Sequence, residues 1–447
     1  MSSIDNTLYC QLPHNTTMAK SSSSPEQPYQ TLSRLVQGFS DTNTQTWWSY
    51  TGPILGRLMS SANYDIQTQY ACLIFHLYNV VPRLGPAPGT ESNIRWRSFM
   101  CDDFSPLEYS WNWSGNKDGS PKIRYSVELI GPNAGTACDP YNRSETLELC
   151  TQLRKDLPKA DWKLFDIMCD AFYDKTSNIN NTSSENLGPA TQNPNASSPS
   201  SLFLAFELGS NIATKAYFMP TKSSQTSIPP LALLDNAITL LRANGCACGS
   251  YEPLLRFIST PTGSSLELVI VAIDCFESTT SRFKIYMRSP HTSFSSVLST
   301  MNMGGTLESI TPTARENLRD LWYSTLALPL SHSENAELPQ QNHQTSGVLY
   351  NFDLSLSGSG IQPKLYIPLK HYAPNDAVAA QGLGGYLSKR GMAEWVGRYM
   401  GVLEECCAHR GLAAGRGCQT YVGVSVKADG ELGVCSYVNG EVYHGGR

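Results

Sequence analysis

The sequence predicts an α+β protein in which an antiparallel β-barrel is ringed by helices, and three observations carry that reading. First, five short segments repeat a tyrosine at strand spacing, four of them with a basic residue beside it. They are KIRYS (Lys122 to Ser126), TKAYF (Thr214 to Phe218), RFKIY (Arg282 to Tyr286), PKLYI (Pro363 to Ile367) and QTYVGVSV (Gln419 to Val426). Second, successive segments are separated by roughly 60 to 90 residues, about the length of a helical pair plus a strand pair. Third, the strand patterns come in pairs joined by short turns, which makes them antiparallel, whereas alternating βα units would give a parallel sheet. Residues i and i+2 of a strand share a face. Lys215 and Tyr217 therefore lie together, as do Arg282, Lys284 and Tyr286, and Lys364 and Tyr366. A sheet closed on itself would gather these faces into one lumen of cations and phenols, suited to a polyanion.

The elements follow in order. Residues 1–27, rich in Ser, Thr, Pro and Gln, predict a disordered tail, and 28–447 the folded barrel domain. Helices are expected from Pro28 to Pro86, with Asp41 or Thr42 as a cap and Tyr64 to Val81 as one apolar helix ending before Pro82. A strand pair, SPLEYSWNW and KIRYSVELI, spans Ser105 to Ile130 around the turn-forming SGNKDGSP. Helix returns from Arg143 to Tyr173. Residues 175–200 (KTSNINNTSSENLGPATQNPNASSPS) are low-complexity and read as an exposed loop. LFLAFELG and ATKAYFMP form a hairpin, followed by helix at Pro230 to Asn244. LELVIVAIDCF pairs with SRFKIYMRS, and helices follow at His291 to Met301 and Thr313 to Leu328. After a polar loop, VLYNFDLS pairs with PKLYIPL. A helix at Asn375 to Cys407 and a hairpin at Thr420 to His444 end the chain.

At 447 residues, 40% hydrophobic and 10% aromatic, the chain can build one large closed sheet or two domains. A net charge of −5, with cations scattered singly into strands, argues against nucleic acid as a partner. No run of 18 apolar residues predicts a membrane span, and the first 30 residues lack the apolar core of a secretory signal. Thirteen irregularly spaced cysteines suit reduced thiols in a cytoplasmic protein. Neither Cys246/Cys248 nor Cys406/Cys407/His409 has the two-residue spacing of paired zinc cysteines, so both groups read as buried thiols. No P-loop or GxSxG motif occurs, and His76, His291, His332 and His343 belong to no nucleophile motif.

WWSYTGPILGRLM (Trp47 to Met59), YDIQTQYACLIFH (Tyr64 to His76), DDFSPLEYSWNW, KAYFMP, RFKIY and KLYIP, in that order, resemble the fungal aromatic prenyltransferases of the dimethylallyltryptophan synthase family. The resemblance runs from about Trp47 to Tyr443. It implies a ten-stranded antiparallel barrel ringed by helices, the ABBA barrel, with the reaction inside. It also implies transfer of a dimethylallyl group from its diphosphate to an indole or other aromatic acceptor in fungal alkaloid and secondary metabolism. By motif, Arg124, Lys215, Arg282 and Lys284 would grip the diphosphate with help from Lys364. Tyr217, Tyr286, Tyr366 and Tyr421 would shield the allylic cation, and Glu108, in PLEYS, would accept the acceptor's N–H. No cofactor or metal is implied, with dimethylallyl diphosphate as co-substrate, and a homodimer is left open.

The residue types suit that chemistry. Ionising an allylic diphosphate leaves about three negative charges on the leaving group, and fixed cations stabilise them as they develop. Arg supplies a bidentate fork and Lys a point charge. A magnesium-dependent enzyme would carry DDxxD-type clusters, but Asp102 and Asp103 are followed by Pro106 and the second half is missing. Tyrosine faces stabilise a carbocation through their quadrupoles and exclude water. Glu108 would act as hydrogen-bond acceptor or base. SLFLAFEL lacks the lysine that the family's tryptophan C4 enzymes carry there, so final deprotonation has no assigned residue. Between Phe257 and Ser281 no Lys or Arg occurs, which leans towards an acceptor without a free carboxylate. On residues alone, a non-catalytic barrel that binds an anionic isoprenoid and a prenyl diphosphate hydrolase remain as alternatives.

Overall fold

The computed structural model describes residues 27–446 apart from 90–93, 114–118, 158–159, 174–195, 222–227, 277–280, 309 and 359. Residues 1–26 of the expected tail and 175–195 of the expected loop lie outside the described residues. Ten strands form the sheet: β1 Leu107–Asn112, β2 Lys122–Val127, β3 Leu202–Glu207, β4 Ala213–Phe218, β5 Glu267–Asp274, β6 Arg282–Ser289, β7 Val348–Ser355, β8 Ile361–Ile367, β9 Gln419–Val426 and β10 Leu432–Asn439. Each pairs antiparallel with its neighbours in sequence, and β1 pairs with β10, closing the barrel.

Both faces of the sheet are covered, which is why its strands look nearly continuously buried. The outward set is apolar and packs under helices. Phe218 on β4, for example, meets Phe165 and Phe172 at ring-centroid distances of 5.6 and 6.2 Å. Those two come from the amphipathic helix Lys163–Phe172. The inward set is polar or aromatic and reaches the lumen. The alternation the sequence showed in β4, β6 and β8 is thus a division between helix-packed core and lumen.

The helical layer departs from expectation in three places. The helix expected over Tyr64 to Val81 is α-helical from Ile66 to Phe75, passes through a π turn at His76–Val80 and ends as 3-10 at Val81–Arg83. Pro82 lacks the N–H that would continue the helix. The helix expected over Asn375 to Cys407 is two, Asp376–Ser388 and Ala393–Cys406, because Gly391 takes a positive φ of 77° between them. A helix at Tyr251–Ile258 was not anticipated. Capping at the start went as read: Asp41 accepts the Thr44 N–H at 3.0 Å. Trp47 and Trp48 are buried packing residues, and Trp47 donates to the Gly85 carbonyl at 2.9 Å.

One irregularity matters for the lumen. Ser436 pairs with Val422 but Val438 pairs with Gln419, so Thr420 and Tyr421 of β9 together stand opposite Tyr437 of β10. A bulge of this kind redirects side chains locally. Thr420, next in sequence to the lumenal Tyr421, reaches inward to Glu108.

Candidate active site

The lumen holds two joined cavities. One, with an empty volume of about 1150 Å³ including its opening, is walled by Lys122, Arg124, Glu207, Lys215, Asp274, Arg282, Lys284 and Lys364 among others. The other, about 690 Å³ on the same measure, is walled by Glu108, Phe203, Ile270, Arg288, Leu349, Lys370 and Tyr421 among others. Four tyrosines line both: Tyr217, Tyr286, Tyr366 and Tyr437.

The cationic end is an alternating ring. From β2 to β8 the inward residues read Arg124, Glu207, Lys215, Asp274, Lys284, Asp353 and Lys364, and Arg124 stands in register with Glu207, Lys215 with Asp274, and Lys284 with Asp353. Glu207 forms an ion pair with Arg124 at 2.7 Å and accepts from Lys122 at 3.1 Å and Lys215 at 3.2 Å. Asp274 pairs with Lys284 and with Arg282 at 3.1 Å. Asp353 pairs with Lys364 at 2.6 Å and Arg282 at 2.9 Å. All five cations singled out by motif thus converge, with Lys122 as a sixth. Sequence reasoning treated buried cations as awaiting a ligand anion, but the fold supplies each with a carboxylate. A signal was available. β3, β5 and β7 each carry an acid within their last three residues, and the strand that follows carries a base within its first four, so each hairpin reads acid, turn, base.

Six basic side chains against three carboxylates leave a formal surplus of three positive charges when Lys215 is protonated, which matches a diphosphate. Burial, with Arg124 and Lys284 adding to it, pushes Lys215 down to about 7. Burial also lowers Lys284, against the pull of Asp274. Glu207 falls to about 2, its burial outweighed by Arg124, Lys215 and Lys122. The empty ring is therefore held near its limit of positive charge, and an anion would relieve it.

The tyrosines form a chain across the barrel. Centroids are 6.0 Å apart for Tyr217–Tyr286, 5.8 Å for Tyr286–Tyr366 and 5.7 Å for Tyr366–Tyr437. Phe203 stacks on Tyr217 at 4.5 Å. Tyr437 escaped sequence reasoning because its segment, VCSYV, carries no basic partner. Tyr421, expected in this layer, meets Tyr366 edge-on at 6.4 Å and lines the second cavity, where the Lys370 ammonium lies 5.1 Å from its ring centre.

Glu108 lies in that second cavity on β1. Its Oε1 accepts from Thr420 Oγ1 at 2.6 Å. Burial pushes its carboxyl up to about 7, with the Thr420 hydrogen bond and Lys370 opposing. Lys370, from the short helix Leu369–Tyr372, donates to Asp102 at 2.6 Å. Arg288, one turn of the pleat beyond Tyr286, donates to the Thr345 carbonyl at 2.5 Å and has no carboxylate partner among the described residues. The sequence argument rested on the Phe257 to Ser281 stretch, which holds no Lys or Arg. The positive charge comes from β6 and from a helix after β8, not from the Phe257 to Ser281 stretch.

A family model for "Tryptophan dimethylallyltransferase" matches residues 43–401. The chain belongs to that family. It is an aromatic prenyltransferase, which decides against the carrier and hydrolase alternatives. The prenyltransferase is 33% identical over 436 residues to 4-O-dimethylallyl-L-tyrosine synthase of Claviceps purpurea (strain 20.1), covering 96% of this chain and 95% of that one. It is 30% identical over 453 residues to xanthone prenyltransferase A of Emericella nidulans, covering 96% and 99%. Its fold is similar to the crystal structure of AnaPT from Neosartorya fischeri, with a TM-score of 0.76 at 24% identity, covering 93% and 98%.

Proposed function

We propose that this prenyltransferase moves a dimethylallyl group from its diphosphate to an aromatic acceptor without a metal ion at the diphosphate. The observation that supports this is the sharing of walls. A cavity with three surplus positive charges meets an aromatic chamber across four tyrosines that belong to both. Arg124, Lys215, Arg282, Lys284 and Lys364, with Lys122, hold the diphosphate. Charge-assisted hydrogen bonds to its oxygens strengthen as the C–O bond breaks and charge moves onto the leaving group. Glu207, Asp274 and Asp353 keep the cations in place and are themselves engaged by them. The allylic cation forms between Tyr217, Tyr286, Tyr366 and Tyr437, whose ring faces stabilise it by about 0.5 to 2 kcal/mol each.

Glu108 faces the acceptor and takes the proton of its N–H or phenolic O–H. A carboxyl near 7 is poised for that role at neutral pH. Arg288 then accounts for a second feature of the acceptor, an anionic group such as a carboxylate, because a guanidinium without a carboxylate partner lines the same chamber. The named relatives act on tyrosine and on xanthones, one with such a group and one without. The described cysteines are free thiols, which supports a cytoplasmic location. No helix among the described residues is long and apolar enough to cross a membrane. Residues 28–447 are taken as one catalytic domain.

The test is turnover of dimethylallyl diphosphate with a panel of indoles and phenols, with and without carboxylates, in excess EDTA, read by mass spectrometry. Prenylated product is expected in EDTA. Loss of all turnover that Mg²⁺ restores would refute the metal-independent reading. For the best carboxylate-bearing acceptor, Arg288→Met should raise KM at least about tenfold, the worth of one charge-assisted contact. An unchanged KM would remove Arg288 from acceptor binding.

A further inference from the structure

Behind the wall that carries Thr420 and Tyr421 lies a buried cluster that plays no part in the chemistry above. Cys407 closes the helix Ala393–Cys406, and His409 follows it. Glu441 comes from the loop after β10. One donor atom from each of these three residues lies within 4.8 Å of the others. The His409 Nε2 is 3.0 Å from Glu441 Oε2, and the Cys407 Sγ is 3.7 Å from that same oxygen. A tetrahedral zinc ion with bonds of 2.0 to 2.3 Å spaces its donor atoms about 3.3 to 3.8 Å apart, so the Cys407–Glu441 separation fits an edge of such a site and the His409–Glu441 separation is about 0.3 Å short of one. The Cys418 thiol, at the foot of β9, is in hydrogen-bonding contact with Cys407.

Charge and backbone support a cation there. Arg410 is shared by two buried carboxylates, donating to Asp376 at 2.5 Å and to Glu441 at 2.8 and 2.9 Å. Two acids on one guanidinium carry a formal excess of one negative charge, which Asp376 offsets in part by accepting the N–H groups of Cys418 and Gln419 at 3.2 and 2.8 Å. Glu441 holds its place through a left-handed backbone, φ 48°, a conformation that costs a residue with a side chain about 1 kcal/mol or more. A Cβ on Gly417, at φ 123°, would come within 3.0 Å of Glu441 Oε1. In sequence, Cys407 and His409 lack the spacing of a zinc motif. The fold supplies the remaining donors from the foot of β9 and from the loop after β10.

We propose that Cys407, His409 and Glu441 form a zinc site, with Cys418 within reach as the fourth ligand, which staples the C-terminal segment and the end of the last helix to the foot of β9. Cys407 loses its thiol proton on binding. The ion is structural and lies away from the diphosphate. It stiffens the strand whose bulge carries Thr420, the partner of Glu108.

The test uses the full chain. Protein freed of metal by a chelator is dialysed against Zn²⁺ alone, its metal content is measured, and its thermal midpoint is followed with and without Zn²⁺. One zinc per chain and a raised midpoint are expected, as is a thiolate-to-metal charge-transfer band when Co²⁺ replaces Zn²⁺. Cys407→Ser and His409→Ala, singly, should weaken Zn²⁺ retention at least about tenfold and remove the shift in midpoint. Prenyl transfer should persist in both. Circular dichroism of each variant separates loss of the site from loss of the fold. No zinc retained by folded wild-type protein would overturn the site. Equal retention in both variants, or a Co²⁺ spectrum without the thiolate band, would overturn it as well.

Discussion

Glu108→Gln is the substitution whose consequences can be worked furthest. The Glu108 carboxyl is desolvated in its chamber and titrates near 7 instead of 4.5. In the wild type, kcat/KM should therefore fall about tenfold per pH unit below 7 and level off above it, since only the carboxylate accepts a proton. Glutamine keeps the size and can still accept the Thr420 hydroxyl, but has no charge. Turnover should drop about 10²- to 10⁴-fold and lose its pH limb at 7. Donor affinity should hold, because the cation ring lies beyond the tyrosines. Stability gives an independent sign. A carboxyl whose folded pKa is raised favours folding most when protonated, so its contribution is complete below about pH 4.5 and is lost as pH rises through 7. A shift from 4.5 to about 7 corresponds to about 3 kcal/mol, reduced by water in the chamber. Glu108→Gln should thus be more stable than wild type at pH 8 and indistinguishable at pH 4.5. The assays are initial rates from pH 5.5 to 8.5, urea unfolding at the two pH values, and calorimetry with a non-hydrolysable donor analogue. A variant that keeps the limb at 7, or intact turnover with weakened donor binding, would refute the assignment. The second result would put Glu108 beside the diphosphate instead.

Two further predictions concern the ring. Lys284→Ala should cut kcat/KM at least tenfold through loss of a charge-assisted contact of about 1.5 to 3 kcal/mol. Its urea midpoint should also fall, because the buried Asp274 is left with Arg282 as its remaining ion-pair partner; wild-type kinetics in a folded variant would remove Lys284 from the site. Lys215, near 7 when the ring is empty, should take up close to one proton when the donor binds at pH 8. Calorimetry in buffers of different ionisation enthalpy reads that uptake, and Lys215→Met should abolish it; equal uptake in the two proteins would assign the proton elsewhere.

Strand alternation, turn residues and the basic–tyrosine segments were enough to determine the barrel, its helical jacket and which residues of β2, β4, β6 and β8 enter the lumen. Periodicity is local, and a strand's two faces are fixed by it alone. What alternation could not give is which residues from distant strands meet at one height, because that depends on register and shear around the closed sheet. Glu207, Asp274 and Asp353 lie at or near the ends of their strands, and only closure set them between the cations. Tyr437 joined the tyrosine layer where β9 carries one extra residue opposite β10, so that Tyr366 meets both Tyr437 and Tyr421. Arg288 and Lys370 came to line one chamber with Glu108 only when β6 and the helix after β8 were brought to the same end of the barrel. The pKa of Glu108 likewise belongs to the tertiary structure, since a carboxyl on an isolated strand is hydrated and titrates near 4.5, and only the closed chamber removes that water.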